Sequence, residues 1–172
     1  MDFYTLAKNR YSVRSFENTP IPQEKIDKIL KIAHIAPTGC NYQPQRILVL
    51  NKEESLEKLK ACTKCHFDAP LAMLVCYNKE ESWVRPYDGE LSAAVDASIV
   101  TTHMMLGAWE EGIGSCWVMH FDPQKMRDTF HIPEHIIPSA LLVMGYPKKD
   151  SVPNPRHEQV RPMEETVIYD SF

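Results

Sequence analysis

A chain of 172 residues, 44% hydrophobic and 24% charged, can bury one proper core but not two comfortable ones, and its composition is neither disordered nor fibrous. A formal net charge of −4 supplies no field to recruit nucleic acid or an anionic membrane, so any bound anion must be held by a few placed cations. The first ten residues carry charge and no apolar stretch, unlike a signal peptide, and no apolar run approaches the length of a membrane span.

Asp2 caps a short expected helix that runs to about Asn9. A second helix begins near Pro22, carries Ile26, Ile29, Leu30 and Ala33 at helical spacing, and stops before Pro37. The turn-rich loop Thr38–Pro44 follows, then a strand over Ile47–Leu50, a helix over Glu53–Ala61 and a buried strand over Ala69–Tyr77. Ser92–Glu110 has the length of a long helix and is apolar on nearly every side, which points to a subunit interface in so small a chain. Strands over Ser115–Met119 and Ala140–Met144 flank a helix around Pro123–Phe130. The proline-rich tail Asp150–Pro162 turns apolar again at Thr166–Tyr169, the pattern of an arm that crosses a surface before adding a strand to a sheet. The expected class is α+β, one domain over residues 1–172, with helices on a small sheet.

Three constellations could carry chemistry. Arg10-Tyr11-Ser12-Val13-Arg14 sets two guanidiniums and a hydroxyl just past a helix end, where they could grip a phosphate or merely form a solvated turn. Pro37-Thr38-Gly39-Cys40-Asn41-Tyr42-Gln43-Pro44 is rich in amides, which offer donors and acceptors to the edge of a planar heterocycle; a plain helix-to-strand connection explains its prolines but not its amides. Gly112-Ile113-Gly114-Ser115-Cys116-Trp117 follows a helix and opens a strand, the reverse of a dinucleotide fingerprint, so its glycines serve a tight turn.

Together, in this order and spacing, the three motifs resemble the nitroreductase family of FMN-dependent oxidoreductases in its short form. The match runs through Arg10, Ser12 and Arg14, then Ala36, Pro37, Thr38, Asn41, Gln43 and Pro44, then Gly112 to Trp117. The resemblance implies a sandwich with a central mixed sheet flanked by helices, in a homodimer with two FMN sites at the interface and a C-terminal arm reaching the partner. It implies that Arg10 and Ser12, with Tyr11 between them, hold the FMN phosphate while Arg14 reaches the ribityl chain and the pyrimidine edge. Pro37, Thr38, Gly39, Asn41 and Gln43 would come from the other subunit, and Trp117, Val118, Met119 and His120 would lie beside the ring, with His120 a candidate proton donor. Arg161 is the match for a late basic phosphate contact, and Arg156 is its rival. Electrons would pass from NADH or NADPH to a nitroaromatic, quinone or similar electron-poor acceptor by ping-pong kinetics, with the flavin doing the chemistry. The alternatives are the same fold turned to another reductive or oxidative reaction, and a non-catalytic flavin-binding or redox-sensing protein.

Other features are weaker. Cys62-Thr63-Lys64-Cys65-His66 matches a c-type haem attachment pattern but reads better as a helix end with small residues packed inward. Five cysteines are an odd number in a domain large enough to fold without staples, as expected of reduced thiols in the cytoplasm, and no metal site is expected. His103 reads as a core histidine; Glu80, Glu81, Asp88 and Glu90 read as a solvated face around Trp83 and Tyr87, a conceivable lid.

Overall fold

Alternation along the strands decides the layers of this molecule, which a computed structural model describes over residues 2–172. Strands β1 (Gln45–Leu50), β2 (Leu71–Asn78), β3 (Gly114–Val118) and β4 (Ile136–Gly145) form one sheet in the order β1-β2-β4-β3. In β2, Leu71, Met73 and Val75 join one core cluster while Ala72, Leu74 and Cys76 join another, so both faces of the sheet are covered. On the first face lie α2 (Gln23–His34) and the long α4 (Ala93–Glu110), through Ile26, Ile29, Ala97, Val100 and Met104. On the second lie α3 (Glu53–Lys60) and α5 (Pro123–Phe130), through Leu59 and Met126, together with Val13 and Phe16. Burying each such large aliphatic side chain contributes about 1.5–3 kcal/mol.

The flanking helices match the expected α+β sandwich, but the sheet is antiparallel in every neighbouring pair of strands rather than mixed. β2, α4 and β3 make a crossover between two strands of like direction, and β4 enters between them, so like-directed strands never become neighbours. Among the described residues a single parallel bridge, Ser12 to Ser115, extends the sheet past β3. β4 also begins earlier than the expected Ala140. Pro138 sits in its middle opposite Cys76, where the register shifts between Val75 and Cys76, and that irregularity accommodates a residue with no N–H to donate.

The helix ends follow their caps. Asp2 accepts from the Thr5 N–H at the start of α1 (Phe3–Asn9), and Asp122 accepts from Gln124 and Lys125 ahead of α5. The tail forms only a short 3-10 turn, Pro155–Glu158, and the one-turn α6 (Met163–Thr166). Residues 167–169 pair with no strand of their own chain and are exposed. Among the described residues no helix is long and apolar enough to cross a membrane.

Candidate functional site

Past α1 the chain runs alongside the start of β3. Val13, fully buried, acts as the peg: its N–H donates to the Ser115 carbonyl (2.9 Å), while Ser12 and Arg14 on either side of it remain accessible. Gly114 makes the approach possible, because a Cβ there would lie 2.6 Å from Val13 Cγ2 and 2.9 Å from the Pro147 ring. The first and third sequence motifs thus dock on each other. Tyr11 fixes the third side. Its ring meets Trp109 edge-on at 5.4 Å, and its hydroxyl donates to the Ser151 carbonyl (3.1 Å), tying the tail to the segment.

Between this segment and the returning tail lies a cleft of about 270 Å³ lined by Tyr11, Ser12, Arg14, Asn154, Arg156 and His157. Its lining carries two guanidiniums, two hydroxyls, an amide and an imidazole, and no carboxylate. That donor set fits a phosphate dianion, to which each charge-assisted hydrogen bond contributes roughly 1.5–3 kcal/mol. Arg10 is half-buried at the end of α1, and it and Arg14 both bear on the Cys116 thiol. Burial is the larger influence on that thiol and holds its pKa above the ordinary range, although the two arginines and the Ser12 hydroxyl act to lower it and nearby Cys65 adds to the rise. Of the two late arginines, Arg156 lines the cleft, whereas Arg161 lies on the exposed tail and pairs with Glu165 (3.2 Å).

β3 carries the site onward. Trp117 is half-buried, Val118 buried, and Met119 and His120 exposed. Thr63 donates its hydroxyl to the His120 carbonyl (2.5 Å), so the turn after α3 fixes the backbone there. A second cleft of about 510 Å³ opens beside Met119 and His120, walled by Lys60 to Lys64 and Lys125. From Ser115 to His120 the strand and its extension offer a strip of about 17 Å.

The amide loop stands elsewhere. Its 3-10 turn, Gly39–Asn41, is stapled by the Thr38 hydroxyl, which accepts from the Gln43 N–H (3.0 Å), and the Gln43 amide donates to Asn41 Oδ1 (3.1 Å). Cys40, Asn41 and Gln43 all hold positive φ (46°, 58° and 52°), a conformation few side chains adopt, and all three are exposed. Pro37 is exposed at the end of α2, and Pro44 is buried at the start of β1. The loop is held at the first turn of α4, where the Gly39 N–H donates to Asp96 (2.8 Å), whereas Tyr11 packs on Trp109 in the last turn. Thirteen residues of helix separate those anchors, about 20 Å. Within one chain the structure therefore gathers Arg10, Tyr11, Ser12, Arg14, Arg156 and the β3 strip, and leaves Pro37, Thr38, Gly39, Asn41, Gln43 and Arg161 apart from them.

Asp96 escaped the sequence reading, as did Asn154 and His157, although an acid among the apolar residues that open α4 was the available signal for the first. The remaining motifs resolve simply. Cys62 is buried, with its thiol toward Thr129 and the Lys58 carbonyl, and the His66 ring accepts from the Asp68 N–H (3.0 Å). His103 donates from Nδ1 to the Ile99 carbonyl (2.8 Å). Glu81 and Asp88 pair with Arg46 and Arg85 on the surface, and Tyr87 is exposed at the tip of a hairpin closed by a Val84–Leu91 bridge.

Comparison with known proteins places this geometry. The model of the nitroreductase family matches residues 7–81 and 63–146. A solved nitroreductase family protein of Clostridium difficile 630 is 43% identical, with a TM-score of 0.95 and complete coverage of both chains. An FMN-dependent nitroreductase of Clostridium difficile R20291 is 25% identical over 99% of this chain and 100% of its own, with a TM-score of 0.82. The FMN reductase [NAD(P)H] of Bacillus subtilis is 25% identical over 86% of this chain and 67% of its own length.

Proposed function

The chain belongs to the nitroreductase family, and from that premise we propose that it is an NAD(P)H-dependent oxidoreductase whose FMN is gripped by both subunits of a homodimer. The observation that carries the reading is the separation just described. The phosphate-binding donors and the amide loop are anchored at opposite ends of α4, which favours a ligand shared by two chains packed in opposite senses along that helix. The outward side of α4 suits such packing, with Val95 exposed and Ile99 and Leu106 partly so. Ser98 and Thr102 between them bond their hydroxyls to the carbonyls of Ala94 (2.8 Å) and Ser98 (2.9 Å), which mutes their polarity.

In this arrangement Arg10, Ser12 and Arg14 hold the phosphate and ribityl end, and Arg156 serves as the late basic contact, because it already lines the cleft that Arg161 does not. Backbone N–H groups from Trp117 to His120 would serve the ring, on a segment held in place by the Thr63–His120 bond. Asn41 and Gln43 of the other subunit reach the same flavin, and that subunit's arm, Val160 to Tyr169, covers its apolar side chains on the partner. When bound, FMN would supply the redox chemistry between NAD(P)H and a nitroaromatic, quinone or similar acceptor. Arg14 would favour negative charge on the bound group, and the exposed His120 imidazole is the candidate proton donor to the acceptor. Because donor and acceptor use one face in turn, kinetics are ping-pong. All five cysteines are free, as suits a reducing cytoplasm.

The test is the purified protein itself. It is expected to be yellow, to release FMN on heating, and to bleach when mixed anaerobically with NADH or NADPH. Release of FAD would overturn the phosphate assignment, and bound FMN that resists bleaching would favour a flavin carrier or sensor.

A further inference from the structure

We propose that Asp96 is a positioning residue for the flavin site, anchoring the 38–43 loop so that its exposed residues meet the partner's flavin; the inference rests on the shared-site reading above. Asp96 is buried, 2% exposed, on a helix whose neighbouring side chains are apolar. A carboxylate taken out of water must be compensated by hydrogen bonds or charge, and here both oxygens are committed. One accepts from the Gly39 N–H (2.8 Å) and the other from the Ser92 hydroxyl (2.7 Å). Ser92 in turn donates its N–H to the Trp83 carbonyl (2.9 Å), so one carboxylate ties together the loop, the base of the 84–91 hairpin and the start of α4.

The fit at Gly39 shows how closely the loop is drawn down. A Cβ there would lie 2.9 Å from Ser92 Oγ and 3.4 Å from Trp83 Cβ, so the backbone rests directly on the helix start. Beyond that anchor the chain holds three non-glycine residues at positive φ and turns Asn41 and Gln43 to solvent. A strained, outward-facing turn on a buried anchor does nothing for the core of its own subunit, whose clusters omit residues 38–43 altogether. It presents a fixed amide surface to something outside the chain. The location of Asp96 in the first turn of α4 also sets its charge at the positive end of the helix dipole, which steadies it without a cation.

Two variants separate this role from simple helix stabilisation. Asp96→Ala leaves the Gly39 N–H bare, whereas Asp96→Asn keeps an acceptor for Gly39 and turns a donor toward Ser92 Oγ. In the FMN-free protein, amide exchange at residues 39–43 should accelerate in Asp96→Ala, return close to wild type in Asp96→Asn, and stay unchanged along β2 in both. Flavin affinity should fall roughly tenfold or more in Asp96→Ala and recover with Asn. A heterodimer of Asp96→Ala and Arg10→Ala subunits should keep one near-normal FMN site, since both lesions then fall on the other. Unchanged exchange at residues 39–43 overturns the anchor whether or not FMN binds. Faster exchange with wild-type affinity overturns the positioning role while leaving the FMN reading intact. Two equally damaged sites in the heterodimer mean that Asp96 acts within its own chain or throughout the fold, and overturn it too.

Discussion

Helix α4 is apolar on two sides and buried on only one. Ala97, Val100, Met104 and Ala108 are fully buried against the sheet and α2, while on the other side Val95 is 61% exposed and Leu106 packs against neither core cluster. The tail repeats the second condition: Val160, Met163 and Tyr169 are all more than 70% exposed on a segment with no sheet partner in its chain. The same residue types thus do two jobs. One set closes the subunit, and the other, left uncovered by the chain's own core, is the half of a second core that the proposed homodimer would complete.

The contrast breaks most visibly at Leu106. Leu106→Glu places a charge in the proposed interface and should convert the dimer to a folded, flavin-free monomer by sedimentation; a folded dimer with normal flavin would refute that use of the outward face. Met104→Ala, two residues away on the buried side, should keep the dimer but lower unfolding stability by about 2–5 kcal/mol in denaturant titration. Arg10→Ala should leave both cores alone and weaken FMN binding by roughly 1.5–3 kcal/mol, about ten- to a hundredfold, in fluorescence titration. Gly114→Ala forces a methyl into the contact with Val13 and Pro147, and should cost about 1–3 kcal/mol of stability while loosening the Arg10–Arg14 segment.

The smallest effect is chemical. Burial raises the Cys76 thiol to about 12 and raises that of Cys116 as well, so neither is an appreciable thiolate near pH 8. In the native protein Cys76 and Cys116 should therefore resist a thiol reagent and be labelled only after unfolding. Prompt labelling of Cys116 would mean that the segment over β3 opens readily.

Much of this was legible in the residues. Helical spacing and Pro37 bounded α2, the helix expected around Pro123–Phe130 is α5, and the length and hydrophobicity of Ser92–Glu110 identified α4 and its second apolar side. Local rules failed where the deciding contact lies far along the chain. The strand expected from Ala140 in fact begins at Ile136 and runs through Pro138, opposite a register shift that local pattern does not record. The antiparallel order depends on β4 entering between β2 and β3, which no periodicity records. Asp96 bonds to a backbone 57 residues away, and the choice of Arg156 for the cleft depends on how Tyr11 and His157 fold the tail back onto α1. The motifs singled out the residues from which the proposed site is built; their distribution over the two ends of α4 emerged only in three dimensions.

A mixed dimer measures the central claim most directly. Arg10→Ala and Asn41→Ala subunits are co-expressed, the heterodimer is isolated, and bound FMN is titrated against each mutant homodimer. If each flavin is held by Arg10 of one subunit and Asn41 of the other, one site of the heterodimer carries both lesions and the other neither. It then retains one near-normal site per dimer, while both homodimers have two weakened ones. Two equally weakened sites in the heterodimer would place Arg10 and Asn41 of one chain at one flavin, and would contradict the account.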